Sequence, residues 1–261
     1  MGFVLLLARQ RTGTGALNTA LEKHPNIKYL NEIFNEDNAK LDTSFFRFYE
    51  RQVRMYGRKI IPNLRFGIFE RYMKSMRARY KAGTMIIDTK YNNLHHLDAN
   101  WRGPIQCPTL LEECMNRDIR IIHLTRRNHL KTFVSGVLAD INRVWHAFDI
   151  AEIHTRSASI DLNSLMNYLD VTEKEDEIVS LWIKHYHRKM EFDYADVFTS
   201  AGEIDEGIMK TLLDFLGEPY VPGLQPLIFK QAPAELAESI ANFDEVKQAL
   251  LGTRHAWMLT D

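Results

Sequence analysis

The apolar run Phe3–Ala8 passes directly into Arg9-Gln10-Arg11-Thr12-Gly13-Thr14-Gly15, and a helical pattern starts near Thr14. A strand that hands its chain to a helix through a glycine-bearing turn is the opening half of a strand–helix–strand unit. Such units build parallel sheets covered by helices. Backbone N–H groups in the turn face whatever lies above the sheet. Gly13 and Gly15 let that backbone close around an anion, Thr12 and Thr14 add hydroxyl donors, the helix N-terminus contributes partial positive charge and Arg11 a full one. The alternative is a plain strand-to-helix turn in which the glycines serve geometry and the arginines are solvated.

The rest of the chain repeats the alternation. Leu17, Ala20 and Leu21 share a face of the first helix, which His24-Pro25 stops. Ile27–Leu30 reads as a second short strand, followed by helical patterns over roughly Leu41–Arg58 and Phe66–Lys81, each with mixed charges on one face. Thr84–Asp88 and Ile119–Thr125 are continuous apolar runs, expected of parallel strands buried on both faces. Thr172 with Glu175 offers a capping box for a long helix through Met190, with Ile178, Leu181, Trp182 and Tyr186 on its buried side. Tyr194–Thr199 is expected to be a strand, Asp205–Leu216 a helix stopped by Gly217 and Pro219, and Ala234–Leu251 helical. With no repeat and no interdomain linker, residues 1–261 read as one α/β domain with a central parallel sheet flanked by helices.

Composition narrows the partners. Thirty-three Lys and Arg against thirty-four Asp and Glu give a net charge of -1, so no global field draws in nucleic acid or an anionic bilayer, and any anion site is local. No run approaches the ~20 apolar residues of a membrane span. Phe3–Ala8 is too short for a secretory leader core, and Cys107 and Cys114 form neither a CxxC pair nor a disulfide framework, so free thiols in the cytoplasm are expected.

A second basic turn follows Ile119–Thr125. Arg126-Arg127-Asn128 opens a helix in which Ser135 lies eight residues after Arg127. Arg127 and Ser135 could converge on one phosphate if this strand adjoins the first one; alone, Arg127 reads equally as a surface cation. The two basic turns together resemble, in motif, spacing and order, the sulfotransferases that use 3′-phosphoadenosine 5′-phosphosulfate, in particular the bacterial and Golgi-type carbohydrate enzymes. His24-Pro25, Asn31-Glu32-Ile33-Phe34, Phe215-Leu216-Gly217 and Ile240-Ala241-Asn242-Phe243 extend the resemblance over most of the chain, faintly between Ala39 and Tyr80.

The resemblance implies a P-loop-like sulfotransferase architecture. It makes Arg11, Thr12, Gly13, Thr14 and Gly15, with Arg9 beside them, the loop for the 5′-phosphosulfate, and Arg127 with Ser135 the pair for the 3′-phosphate. It points to Glu32 as the base that activates an acceptor hydroxyl and to Lys90 as a lysine near donor or acceptor. The family's C-terminal glycine-rich cofactor motif is missing; Phe229-Lys230-Gln231 offers a replacement, with Lys230 assigned to cofactor contact. The acceptor implied is a sugar, a glycolipid or a small metabolite, and no metal is expected, because cationic side chains can manage the leaving phosphate.

Other residues read as structural. His123 sits inside an apolar strand and reads as a core histidine, and His95, His96, His185 and His187 lack a zinc-specifying arrangement. Phe45, Phe46, Phe48, Tyr49 and Tyr56 read as core, with an acceptor-binding wall as the alternative. Two rival functions stand. An atypical P-loop kinase would need the Walker lysine, whereas Ala16 follows Gly15 here. A nonenzymatic nucleotide-binding module would use the same loops without Glu32.

Overall fold

The computed structural model describes residues 2–56, 65–98, 100–103, 105–228 and 235–260. Five strands, β1 (Gly2–Ala8), β2 (Ile27–Glu32), β3 (Thr84–Lys90), β4 (Arg120–Thr125) and β5 (Lys189–Asp193), form one parallel sheet in the order β2-β3-β1-β4-β5. Around it lie α1 (Thr14–Leu21), α2 (Phe45–Tyr56), α3 (Arg65–Tyr80), α4 (Thr109–Asn116), α5 (His129–Asn142), α6 (Leu162–Ile183), α7 (Tyr194–Val197), α8 (Glu206–Leu216), α9 (Leu236–Ser239) and α10 (Phe243–Leu250). No helix among the described residues is long and apolar enough to cross a membrane.

β1 lies at the centre because all but its first residue are apolar and buried, so both of its faces must be covered. Val4, Leu6 and Ala8 pack with Leu17 and Leu21 of α1 and Leu212 and Leu213 of α8. Phe3, Leu5 and Leu7 on the other face meet Phe69 and Tyr72 of α3, Leu110 and Leu111 of α4 and Ile183 of α6. A third cluster joins Leu130, Val134 and Leu138 of α5 to Leu165 and Leu169 of α6 and Val246 and Leu250 of α10. From β1 the chain turns toward β2, whereas β4 lies on the other side of β1. The loops after β1 and β4 therefore diverge and leave a crevice at the C-terminal ends of the strands, the usual ligand position in such sheets.

Three expected elements are corrected. The long helix begins at Leu162, capped by Asp161 accepting from the Ser164 N–H at 2.8 Å, and ends at Ile183. Thr172 lies inside it, its hydroxyl donating back to the Tyr168 carbonyl at 2.7 Å, so the Thr172–Glu175 pair is no cap. Val179 and Ile183 face the core while Leu181 is exposed, and Met190 belongs to β5. The expected strand Tyr194–Thr199 is instead a helical turn, capped by Asp193. The real strand alternates Met190 and Phe192 with Lys189, Glu191 and Asp193, an edge pattern without the continuous apolar run of β1. The C-terminal helical segment is two helices, broken where Ile240 bridges to Ala158 and Asn242 bonds the Ile160 backbone.

Candidate functional site

The glycine-bearing loop lies at the crevice, between β1 and α1. The Thr12 hydroxyl closes it by donating to the Arg9 carbonyl at 2.8 Å, and Arg11 and Gly13 adopt left-handed φ values of 64° and 87°. Gly13 precedes α1 without a side-chain cap, which leaves the first-turn N–H groups facing the crevice. Close approach explains both glycines. A Cβ on Gly13 would lie 2.9 Å from Tyr194 and Phe198, and one on Gly15 would lie 2.7 Å from the His146 ring.

A cavity of about 620 Å³ opens over this loop. Its wall holds Arg11, Gly13, Thr14, Gly15, Glu32, Lys90, Ser135, Arg126, Trp145, His146 and Tyr194. Arg11 donates through Nε and Nη2 to Ser135 Oγ at 3.2 and 3.0 Å and through Nη1 to the Trp145 carbonyl at 2.6 Å. Arg126 is buried, donates to the Arg11 carbonyl at 3.1 Å and lies 4.4 Å over the Tyr194 ring. Among the described residues neither guanidinium has a carboxylate within ion-pair distance. Desolvation, followed by repulsion from Arg126, pulls the Arg11 pKa down to about 10, and burial lowers that of Arg126. Two partly dehydrated like charges held beside uncapped N–H groups form a site that an anion would stabilise.

Opposite them lies a buried polar chain. Lys90 ends β3 with its ammonium 2.5 Å from Thr14 Oγ1, 2.7 Å from Asp88 Oδ1 and 3.3 Å from Glu32 Oε1. Asp88 Oδ2 accepts from Asn18 at 3.2 Å and from the Tyr29 hydroxyl at 3.3 Å. Burial raises the Asp88 pKa against the opposing pull of Lys90, and Glu32 adds to the rise. Burial likewise pushes the Tyr29 hydroxyl well up, with Asp88 and Glu32 contributing. Tyr29 is thus a donor that keeps its proton.

Glu32 reaches the crevice through a backbone irregularity. The β2–β3 register shifts between Tyr29 and Glu32, and Asn31 takes a left-handed φ of 65°. Asn is one of the few residues that enter this region readily. The bulge leaves Glu32 as the last residue of β2, not beyond it, with Oε2 accepting from Asn35 at 3.1 Å.

The structure thus brings Arg11, Gly13, Thr14, Gly15, Glu32, Lys90 and Ser135 to one cavity, and places three other sequence candidates elsewhere. Arg9 turns to the opposite sheet face, where it pairs with Glu175 at 2.6 Å and Asp176 at 2.9 Å, its charge already neutralised. Thr12 spends its hydroxyl on the loop itself. Arg127 has a 72% exposed side chain whose Nε lies 3.3 Å from Asp193, and that same carboxylate accepts its backbone N–H at 2.8 Å. The adjacent Arg126 points into the cavity in its place, because neighbouring residues at a strand end project to opposite sides. Lys230 lies outside the described residues.

Sequence reasoning missed Arg126, Asp88, Trp145, His146 and Tyr194. Asp88 had a signal, a carboxylate closing an apolar run. Arg126 was legible only as half of an Arg-Arg pair, and the other three enter from distant segments. His146 faces Arg11, Glu32 and Lys90; desolvation within the cavity wall and then Arg11 lower its pKa. His123 is a satisfied core residue, 2.6 Å from the Tyr91 hydroxyl and 3.2 Å from Glu191. Of the aromatic group near α2, Phe45 is core, 5.2 Å from Phe34 and 5.7 Å from Tyr72, and Phe46, Phe48 and Tyr49 pack partly buried against it, while the side chain of Tyr56 lies outside the described residues. No cluster of three His, Cys, Asp or Glu residues with metal-binding geometry occurs among the described residues. No protein-family model matches the chain, and no curated protein is significantly similar to it.

Proposed function

We propose that the chain is a sulfotransferase that moves a sulfuryl group from 3′-phosphoadenosine 5′-phosphosulfate to an acceptor hydroxyl on a sugar, glycolipid or small metabolite. The observation that carries this reading is the division of the cavity. Arg11, Arg126 and the uncapped start of α1 line it together with Glu32 held by Lys90 and Asn35. The strand order β2-β3-β1-β4-β5 sets the glycine-bearing loop after the central strand at the crevice, which supports the P-loop-like sulfotransferase architecture of this reading.

Each residue has a defined task in this reading. Glu32 takes the proton of the acceptor hydroxyl as its oxygen bonds to sulfur. Arg11, Thr14, Lys90 and the loop N–H groups meet the charge that builds on the 5′-phosphate oxygen as the sulfur–oxygen bond breaks. Ser135 and Arg126 hold phosphate on the β4 side, and Tyr194 offers an aromatic face to the base. The products are a sulfate ester and adenosine 3′,5′-bisphosphate. The chain's own cations supply the counter-charge, so turnover is expected without added metal. The thiols of partly buried Cys107 and buried Cys114 are pushed up by burial, to about 11 and about 12, so both stay protonated near neutral pH, and free thiols fit a cytoplasmic protein.

Adenosine 3′,5′-bisphosphate at about 100 times its Kd should stabilise the chain by about 2.7 kcal/mol in a metal-free thermal-shift assay. Stabilisation only by ATP with magnesium would favour a kinase instead. Glu32→Gln should keep bisphosphate binding and lose about 100-fold or more in kcat. Full activity of that variant would remove Glu32 from the chemistry.

A further inference from the structure

The near-neutral total conceals an uneven distribution of charge. Residues 45–81 hold eleven Lys or Arg and only two Glu, leaving twenty-two basic against thirty-two acidic residues in the rest of the chain. Most of this excess lies on α2 and α3. On α2, Arg47, Arg51 and Arg54 recur at spacings of four and three, so they form one exposed stripe. On α3, Arg71, Lys74 and Arg77 are exposed, on the side opposite Phe69, Tyr72 and Met76, which face the core. Asp42 lies between the two helices, pairing with Arg47 at 2.7 Å and with Arg79, which stands off the Arg71–Lys74–Arg77 stripe, and Glu50 pairs with Arg54.

Positive charge alone suits any polyanion, and the apolar residues discriminate. On α2 Met55 is 70% exposed and lies one turn beyond Arg51 on the same side of the helix. Phe45 and Phe48, which could otherwise stack on unpaired bases, turn inward, 5.7 and 5.6 Å from Tyr72. Outward arginines beside an exposed aliphatic side chain match the headgroup layer of a membrane, where guanidinium groups meet lipid phosphates and the aliphatic chain enters the acyl boundary.

We propose that the exposed basic faces of α2 and α3 dock on the surface of an anionic lipid bilayer, with Arg51 and Lys74 at the headgroups and Met55 at the acyl boundary. The docking is peripheral and requires no spanning segment. It is independent of the sulfotransferase reading.

Sedimentation of the whole chain with vesicles of phosphatidylcholine alone, or of phosphatidylcholine with about 30% phosphatidylglycerol, tests the idea. About tenfold more protein should sediment with the anionic vesicles, and raising salt from about 0.1 to about 0.5 M should release it. Arg51→Glu with Lys74→Glu should bring binding down to the level of neutral vesicles, with Arg51→Gln and Lys74→Gln repeating the measurement should the reversed charges disturb folding. Met55→Ser should lower binding by about threefold. Equal sedimentation with both vesicle types, or charge variants of unchanged melting temperature that bind as well as the native chain, would overturn the proposal. So would tighter binding to duplex DNA at matched phosphate concentration, or a Met55→Ser variant without effect, since either would mark a general polyanion surface. Adenosine 3′,5′-bisphosphate binding read in the same samples keeps a failed docking result separate from a failed sulfotransferase reading.

Discussion

The cations of the cavity and those of α2 and α3 carry the same charge and stand in opposite relations to water. Arg126 is buried and Arg11 half-buried, their bonds go to neutral groups such as Ser135 and the Trp145 carbonyl, and desolvation weakens their hold on the proton. Arg51 and Lys74 are exposed and keep their hydration. A ligand anion in the cavity therefore relieves a penalty already present in the folded chain, at low dielectric, where each contact is strong. An anion at the outer face meets charges screened within about 10 Å at ordinary salt, so binding there needs many contacts at once. Desolvation, more than charge count, separates a site for one small anion from a surface for an extended one.

The comparison can be broken most decisively at Arg126. Arg126→Ala should weaken adenosine 3′,5′-bisphosphate binding by about 100-fold or more, measured by calorimetry, because a desolvated cation facing a phosphate is removed. A loss of tenfold or less would mean that burial confers no special strength.

Lys90→Met should cost about 3 kcal/mol of stability in denaturant unfolding, since it strands Asp88 in the sheet without its ammonium partner. Its pH dependence sharpens the point. Burial raises the folded pKa of Asp88, so the folded chain holds that proton more firmly than the unfolded chain does, and stability falls as pH rises above about 4. Removing Lys90 should steepen this fall, and adding Asp88→Asn should flatten it, as read from melting temperatures between about pH 5 and pH 8.

Salt should distinguish the two regions more modestly. Between about 0.1 and 0.5 M, bisphosphate affinity should fall by less than about tenfold while vesicle binding is lost. The smallest effect is expected at Arg127. Arg127→Ala should change bisphosphate affinity by no more than about threefold, because its guanidinium is exposed and lies against Asp193. A 100-fold loss there would show that Arg127 swings into the cavity when the nucleotide binds, and the division between buried and exposed cations would have to be redrawn.

Much of the fold was legible wherever local pattern and burial agree. β1, β3 and β4 are continuous apolar runs because both their faces are covered, and α8 carries its own signals in Asp205, which caps it, and Gly217, which ends it with a left-handed φ of 72°. Reading failed at β5 and α6. β5 is an edge strand with polar alternation, and the start of α6 is set by Asp161, eleven residues before the tempting Thr172. In the site, the Arg11–Gly15 loop was legible because its glycines, threonines and arginines are contiguous. The choice between Arg126 and Arg127 was not, because adjacent arginines have the same local sequence and differ only in which side of the strand end they occupy.

The linear order of residues already determined the alternation of strands and helices, the glycine-bearing turn after the first strand and the parallel character of the sheet. All of these depend on neighbours within a few positions, where period and turn chemistry act directly. Tertiary structure alone decided that Lys90 bridges Asp88, Thr14 and Glu32, that Trp145 and His146 close over the loop, that Arg9 is neutralised by α6, and that Asp42 pairs with Arg47 of α2 and Arg79 of α3. Those outcomes depend on side chains meeting across the sheet and on which charges lose their water, and neither is encoded in any single stretch of chain.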